Sequence, residues 1–239
     1  MNVHHPGRLL FLGAFLISLT LSVHGQQTAE SCLKEGKQKQ GAGDLEGALI
    51  DYDKVIALVQ ANTKKDDSAL ATLSVAQVQR ETVLMAKGDY DTAWSAFLKE
   101  KADDDAANIG IGETHCYMWL IRVRKGRRKE ADRELAASLS SAGSKIGNLE
   151  NSVQIAKYLV NQCSESELIA FVQAGDEKAG STQHQGEGEA WYFVGMKYLL
   201  AGDKAKAAED FQKVLSLKGT MFNTRTLVRA ELKAIAAKP

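Results

Sequence analysis

The chain has 239 residues, 44% of them hydrophobic and 25% charged, with 30 basic side chains balanced by 30 acidic ones. That balance excludes a general electrostatic pull towards nucleic acid or an anionic membrane surface. Three cysteines (Cys32, Cys116 and Cys163) are too few for a disulfide framework and lack the spacing of zinc ligands. Their odd count leaves at least one thiol free or paired between chains. The only prolines are Pro6 and Pro239, so nothing between them forces a helix to break. Few aromatics and many alanines favour helix over sheet, and the expected fold class is all-α.

Residues 1–25 read as a secretory signal peptide. Arg8 supplies the positive start, Leu9 to Val23 is apolar, and Val23-His24-Gly25 is a small-x-small site for cleavage before Gln26. The apolar run is shorter than the roughly 20 residues of a membrane span, and a retained anchor helix is the alternative. Cys32 is a poor lipidation site, because Ala29-Glu30-Ser31 before it lacks the leucine of a lipobox and contains an acid. The mature chain is therefore expected outside the cytoplasm, periplasmic or secreted, with no stable membrane span.

A run of similar units follows. Gly43 is followed by Ala48 and Tyr52, Gly88 at the same offsets by Ala93 and Phe97, Gly126 by Ala131 and Leu135, and Gly202 by Ala207 and Phe211. The interval from Gly126 to Gly202 is twice that from Gly88 to Gly126, which calls for a degenerate unit between them. Asn151 to Val160 supplies its first helix and Ser164 to Ala174 its second, opening on the capping box Ser164-Glu165-Ser166-Glu167. The expected units are 29–62, 66–101, 104–141, 146–174 and 189–219, with a capping helix over 220–237. Gly175 to Gly188, rich in glycine, serine and threonine, reads as a loop. In the first unit Cys32 and Gly36 stand where the last unit has Trp191 and Gly195.

Glu189 to Gly219 is the clearest unit: Trp191, Val194, Gly195 and Tyr198 lie on one side of Gly202, and Ala207, Phe211 and Val214 on the other. Both sets follow a helical period. The segment resembles a tetratricopeptide repeat (TPR), with Val194 in place of leucine, Val214 in place of the later alanine and Gly219 in place of the closing proline. Tyr117-Met118-Trp119-Leu120, the Ser164 to Ala170 helix start and Glu189 to Leu217 are similar, in order and spacing, to the NlpI-type tetratricopeptide lipoproteins of bacterial envelopes. The resemblance implies a TPR-like helical-hairpin solenoid of five pairs plus a cap. It also implies a concave groove lined by the first helix of each pair, and a non-enzymatic adaptor, often dimeric, that binds partner proteins in that groove, presenting substrates to an envelope protease or regulating cell-wall enzymes. The missing lipobox departs from that family.

No catalytic residue, cofactor site or metal site is assigned. His115 beside Cys116 suggests a nucleophile and a base, but adjacent helical residues point about 100° apart. A hydrolase using Cys116 is the runner-up function. Cys116 and Cys163 sit on neighbouring units and are a candidate disulfide. Asp103-Asp104-Asp105 lacks the ligand pattern of a calcium loop and suits helix ends. Arg122, Arg124, Lys125, Arg127, Arg128 and Lys129 cluster around the third turn; Arg124, Lys125, Arg127 and Arg128 are candidate contacts for an anion, a glycan or an acidic partner. Trp191, Tyr198 and Phe211 are expected in the core, with Tyr192 facing outwards.

Overall fold

The computed structural model describes residues 28–62, 66–106, 111–141, 150–178 and 184–237. Residues 1–25 and the side chains of Asp103, Asp104 and Asp105 lie outside what is described. The described residues form eleven helices and no strand: α1 (Ala29–Ala42), α2 (Leu45–Ala61), α3 (Asp67–Lys87), α4 (Tyr90–Ala106), α5 (Glu113–Arg124), α6 (Arg128–Ser141), α7 (Glu150–Leu159), α8 (Glu165–Lys178), α9 (Gln185–Leu200), α10 (Lys204–Ser216) and α11 (Phe222–Ala236). The fold is all-α, and consecutive helices pack as pairs. Among the described residues no helix is long and apolar enough to cross a membrane.

One local device closes all five hairpins. Gly43, Gly88, Gly126 and Gly202 adopt left-handed φ values of 87°, 80°, 76° and 92°. At Gly43 the turn is held by its own N–H donating to Gln40 O at 3.1 Å and by Asp44 N–H donating to Lys39 O at 2.9 Å, which is the Schellman arrangement. In the degenerate fourth hairpin Asn161 takes the glycine's place at φ 61°, and Gln162 N–H donates to Lys157 O at 2.7 Å. Asparagine is among the few residues that tolerate this conformation. The buried pair that follows, Leu168 and Val172, keeps the helical spacing of Ala48 and Tyr52 but starts two residues later relative to the turn. That shift hid the fourth unit from the glycine pattern.

Within a pair, helices touch where the first carries glycine. A Cβ on Gly36 would lie 2.7 Å from Tyr52 Cε1, and one on Gly195 would lie 2.6 Å from Phe211 Cε1 and 3.3 Å from the Ala207 carbonyl oxygen. Tyr52 and Phe211 are fully buried, so neither ring has room to retreat. Gly195→Ala is therefore expected to lower stability by about 1–2 kcal/mol, overpacking outweighing the gain in helix propensity. Urea unfolding checks this, and Phe211→Leu in the same chain should recover most of the loss.

Four expectations change in three dimensions. The expected start of the third unit at 104 falls inside α4. Much of the expected Gly175–Gly188 loop is helix: α8 runs to Lys178, α9 begins at Gln185, and residues 179–183 lie outside what is described. Gly186 and Gly188 are buried helix residues at close contacts, a Cβ on Gly188 meeting Thr220 Cγ2 at 2.5 Å. Nor does α11 simply cap the last pair. It packs on α3, α9 and α10, Thr226 accepts from Gln40 Nε2 of α1 at 3.0 Å, and Glu231 pairs with Arg124 of α5. It thus crosses the first helices of four pairs and covers the face that sequence reasoning leaves open as a groove. Tyr192, expected outside, is fully buried. It closes a row of rings in which Phe97 stacks on Tyr117 at 5.7 Å, Tyr117 meets Phe193 at 5.4 Å, and Tyr192 meets Phe193 at 5.2 Å and Phe211 at 6.2 Å.

Candidate functional site

With the inner face covered by α11, one accessible concavity lies between α2, α3 and α4. It is a cleft of about 420 Å³ whose lining includes Asp53, Ser74, Gln77, Arg80, Glu81 and Glu100. The helical period places Ser74, Gln77, Val78 and Glu81 on one face of α3, with Leu70 one turn earlier on the same face. Arg80 Nε donates to Asp53 Oδ1 at 2.5 Å across the mouth. Glu81 is only 6% exposed. Burial and the neighbouring Glu100 push its carboxyl up to about 8, against a weaker opposing pull from Arg80.

Apolar exposure concentrates on the three helices that build this cleft, although none of those side chains lines it. Among the described residues the exposed large hydrophobic side chains are Ile50, Leu58, Leu70, Val75 and Leu98, and all five lie on α2, α3 or α4. Small cores explain the asymmetry. The first two pairs bury Cys32, Val55, Val59 and Ala76 in one cluster and Ala48, Tyr52 and Val83 in another, whereas the main core extends from Leu84 to Val228. A second cleft of about 530 Å³ lies beside α11, between Gly43, Ala86, Arg229 and Lys233.

The residues singled out in the sequence are dispersed or already engaged. Cys116 is fully buried and its thiol donates to Ser152 O at 3.7 Å. Burial, reinforced by the carboxyls of Glu189 and Glu113, holds that thiol well above its ordinary range. This is the opposite of what a thiolate nucleophile requires. Cys163 donates instead to Gln154 O at 3.7 Å, and both cysteines are free thiols. Glu113 and Glu189 are themselves raised, chiefly by burial and then, for Glu189, by Glu113.

The basic cluster is largely neutralised from within. Arg122 binds Glu130 at 2.6 Å and Glu134 at 2.9 Å and lies over the Trp94 ring at 4.5 Å. Arg124 pairs with Glu231 and Lys125 with Asp91. Arg128 packs over Trp119 at 5.2 Å, while Arg127 and Lys129 are exposed. Arg124 is thus held within the fold, while Lys125 sits in an ion pair at the surface. Trp191 and Tyr198, expected in the core, are partly buried; Lys213 lies 3.6 Å from the Trp191 ring centroid and Lys206 5.5 Å from that of Tyr198.

One repeated motif escaped the sequence reading. Asp51-Tyr52-Asp53-Lys54-Val55 and Asp210-Phe211-Gln212-Lys213-Val214 share an acid, an aromatic, a lysine and a valine in register. Both acids are buried. Asp51 is held by Lys39 at 2.6 Å and Lys54 at 3.1 Å, Asp210 by Lys213 at 2.7 Å and Lys206 at 2.8 Å. Burial opposes ionisation of Asp51, but the two lysines outweigh it and its carboxyl stays below the usual range.

Fold and surface together define an all-helical protein of packed helical hairpins with a charged cleft between α2, α3 and α4 and exposed apolar side chains on the same three helices. Comparison with known proteins finds no family model that matches the chain and no curated protein that matches it.

Proposed function

We propose that the chain is a TPR-type adaptor that binds other proteins through the surface around the α2–α4 cleft. The exposed Ile50, Leu58, Leu70, Val75 and Leu98 carry this reading, since exposed apolar side chains concentrated on three consecutive helices favour a protein partner. The cleft adds charges of both signs, which favour a segment combining apolar anchors with mixed polar groups. The proposed solenoid is supported by the recurring left-handed turns and by the glycine–aromatic contacts at Gly36 and Gly195. A bacterial-envelope role beside a protease or cell-wall hydrolase, and a homodimeric state, rest on the sequence resemblance alone. Location outside the cytoplasm rests on residues 1–25.

Affinity capture tests the proposal. Tagged 26–239 and a Leu70→Asp/Leu98→Asp variant are incubated with envelope extract, with Arg127→Ala as the control. We expect a protein recovered in near-equal amount by the parent and the control, and at least about tenfold less by the double variant. Equal recovery by all three, or no recovery at low and moderate salt, would refute it.

A further inference from the structure

We propose that Asp176, His184 and Glu187 form a site for a divalent first-row transition-metal ion of the zinc or manganese type, tying the end of α8 to the start of α9. One donor atom from each residue lies within 4.8 Å of the others. His184 Nδ1 and Glu187 Oε2 are 3.1 Å apart, a separation that two donors to one small cation readily adopt.

The surroundings orient these donors in the way metal ligands are oriented. Glu187 Oε1 accepts from Gln173 Nε2 at 2.9 Å and from Trp191 Nε1 at 3.3 Å, which turns Oε2 towards His184. Asp176 Oδ2 accepts from the Glu187 backbone N–H at 3.2 Å. The backbone N–H of His184 donates to Lys218 O at 3.1 Å, and its side chain makes no cap hydrogen bond to α9. Gly186 gives the room: a Cβ there would lie 2.4 Å from Asn151 Nδ2 and 3.4 Å from Asp176 Oδ1.

Charge points the same way. Among the described residues no lysine or arginine pairs with Asp176 or Glu187; the one ion-pair partner is His184. Two carboxylates and an imidazole are the donor set of zinc, manganese or iron, and the imidazole disfavours magnesium and calcium. With three protein donors, the remaining coordination positions would fall to water. The proposal is independent of the adaptor reading.

The test uses the full chain stripped with EDTA and titrated separately with zinc and manganese ions, read by calorimetry and by thermal melting. We expect one ion per chain for at least one metal and a higher melting temperature, reversed by EDTA. His184→Ala should weaken binding at least about tenfold and lose the metal-dependent rise in melting temperature. If that variant misfolds, Asp176→Asn gives the same comparison. Cobalt substitution adds a visible absorption band that the variants should lose. No stoichiometric binding by the parent chain, or undiminished binding by a folded His184→Ala or Asp176→Asn chain, would overturn the site. Either result would leave the three residues as a helix-capping network.

Discussion

Arg124→Ala is expected to destabilise the protein by about 3–5 kcal/mol, because it leaves a largely buried carboxylate without its cation. The side chains of Arg124 and Glu231 are 21% and 12% exposed. The guanidinium also lies 5.2 Å from the Tyr90 ring centroid and donates to Met196 Sδ at 3.7 Å. It therefore joins α3's partner helix α4, as well as α5 and α9, to α11. Burial alone would lower its pKa, but Glu231 outweighs that and raises it. Urea unfolding of the single variant and of Arg124→Ala/Glu231→Ala measures the effect, and the double variant should recover a substantial part of the loss. Arg127→Ala, on an exposed residue of the same cluster, should change stability by no more than about 0.5 kcal/mol. A loss below about 1 kcal/mol for Arg124→Ala would show that α11 is not held by this pair.

Glu81→Gln should stabilise the protein increasingly as pH rises. In the folded chain the Glu81 carboxyl titrates at about 8 against an ordinary value of 4.5, so the folded state retains a proton that the unfolded state releases. Its contribution is fully present below about pH 4.5 and is lost as pH rises through about 8. Between pH 5 and pH 9 the parent should lose about 4 kcal/mol relative to the glutamine variant. Denaturant unfolding of both chains at the two pH values reads this directly. Parallel pH profiles would mean that Glu81 is solvated or paired in solution. Since Glu81 lines the α2–α4 cleft, a partner that brings a cation to it would lower its pKa and shift the same profile.

Much of the hairpin architecture was legible in the chain because its causes are local. A left-handed turn favours glycine, and the apolar pair that follows sits one helical turn apart on the face towards the partner helix. Gly43, Gly88, Gly126 and Gly202 therefore marked their hairpins, and Gly195 marked its close contact. The fourth hairpin was legible only as two amphipathic helices, because Asn161 replaces the glycine and the packing pair starts two residues late. Gly186 and Gly188 misled, since glycine serves close packing as well as turns. The proposed metal donors carried no readable spacing, since Asp176 and His184 are brought together by the packing of α8 against α9.

The candidate surface was less legible than the helices. Exposure of Leu70 and Leu98 depends on what fails to pack against them, and no periodicity records that. Arg124 read as surface charge because its partner Glu231 is remote in the chain, and Tyr192 read as outward-facing although it is fully buried. By itself the sequence determined the helices, their turns and the glycine–aromatic contacts within pairs, all interactions between residues near one another along the chain. Only the tertiary structure decided where α11 lies, which cations are neutralised and which concavity remains open, because those follow from packing between distant segments whose buried charges must find partners.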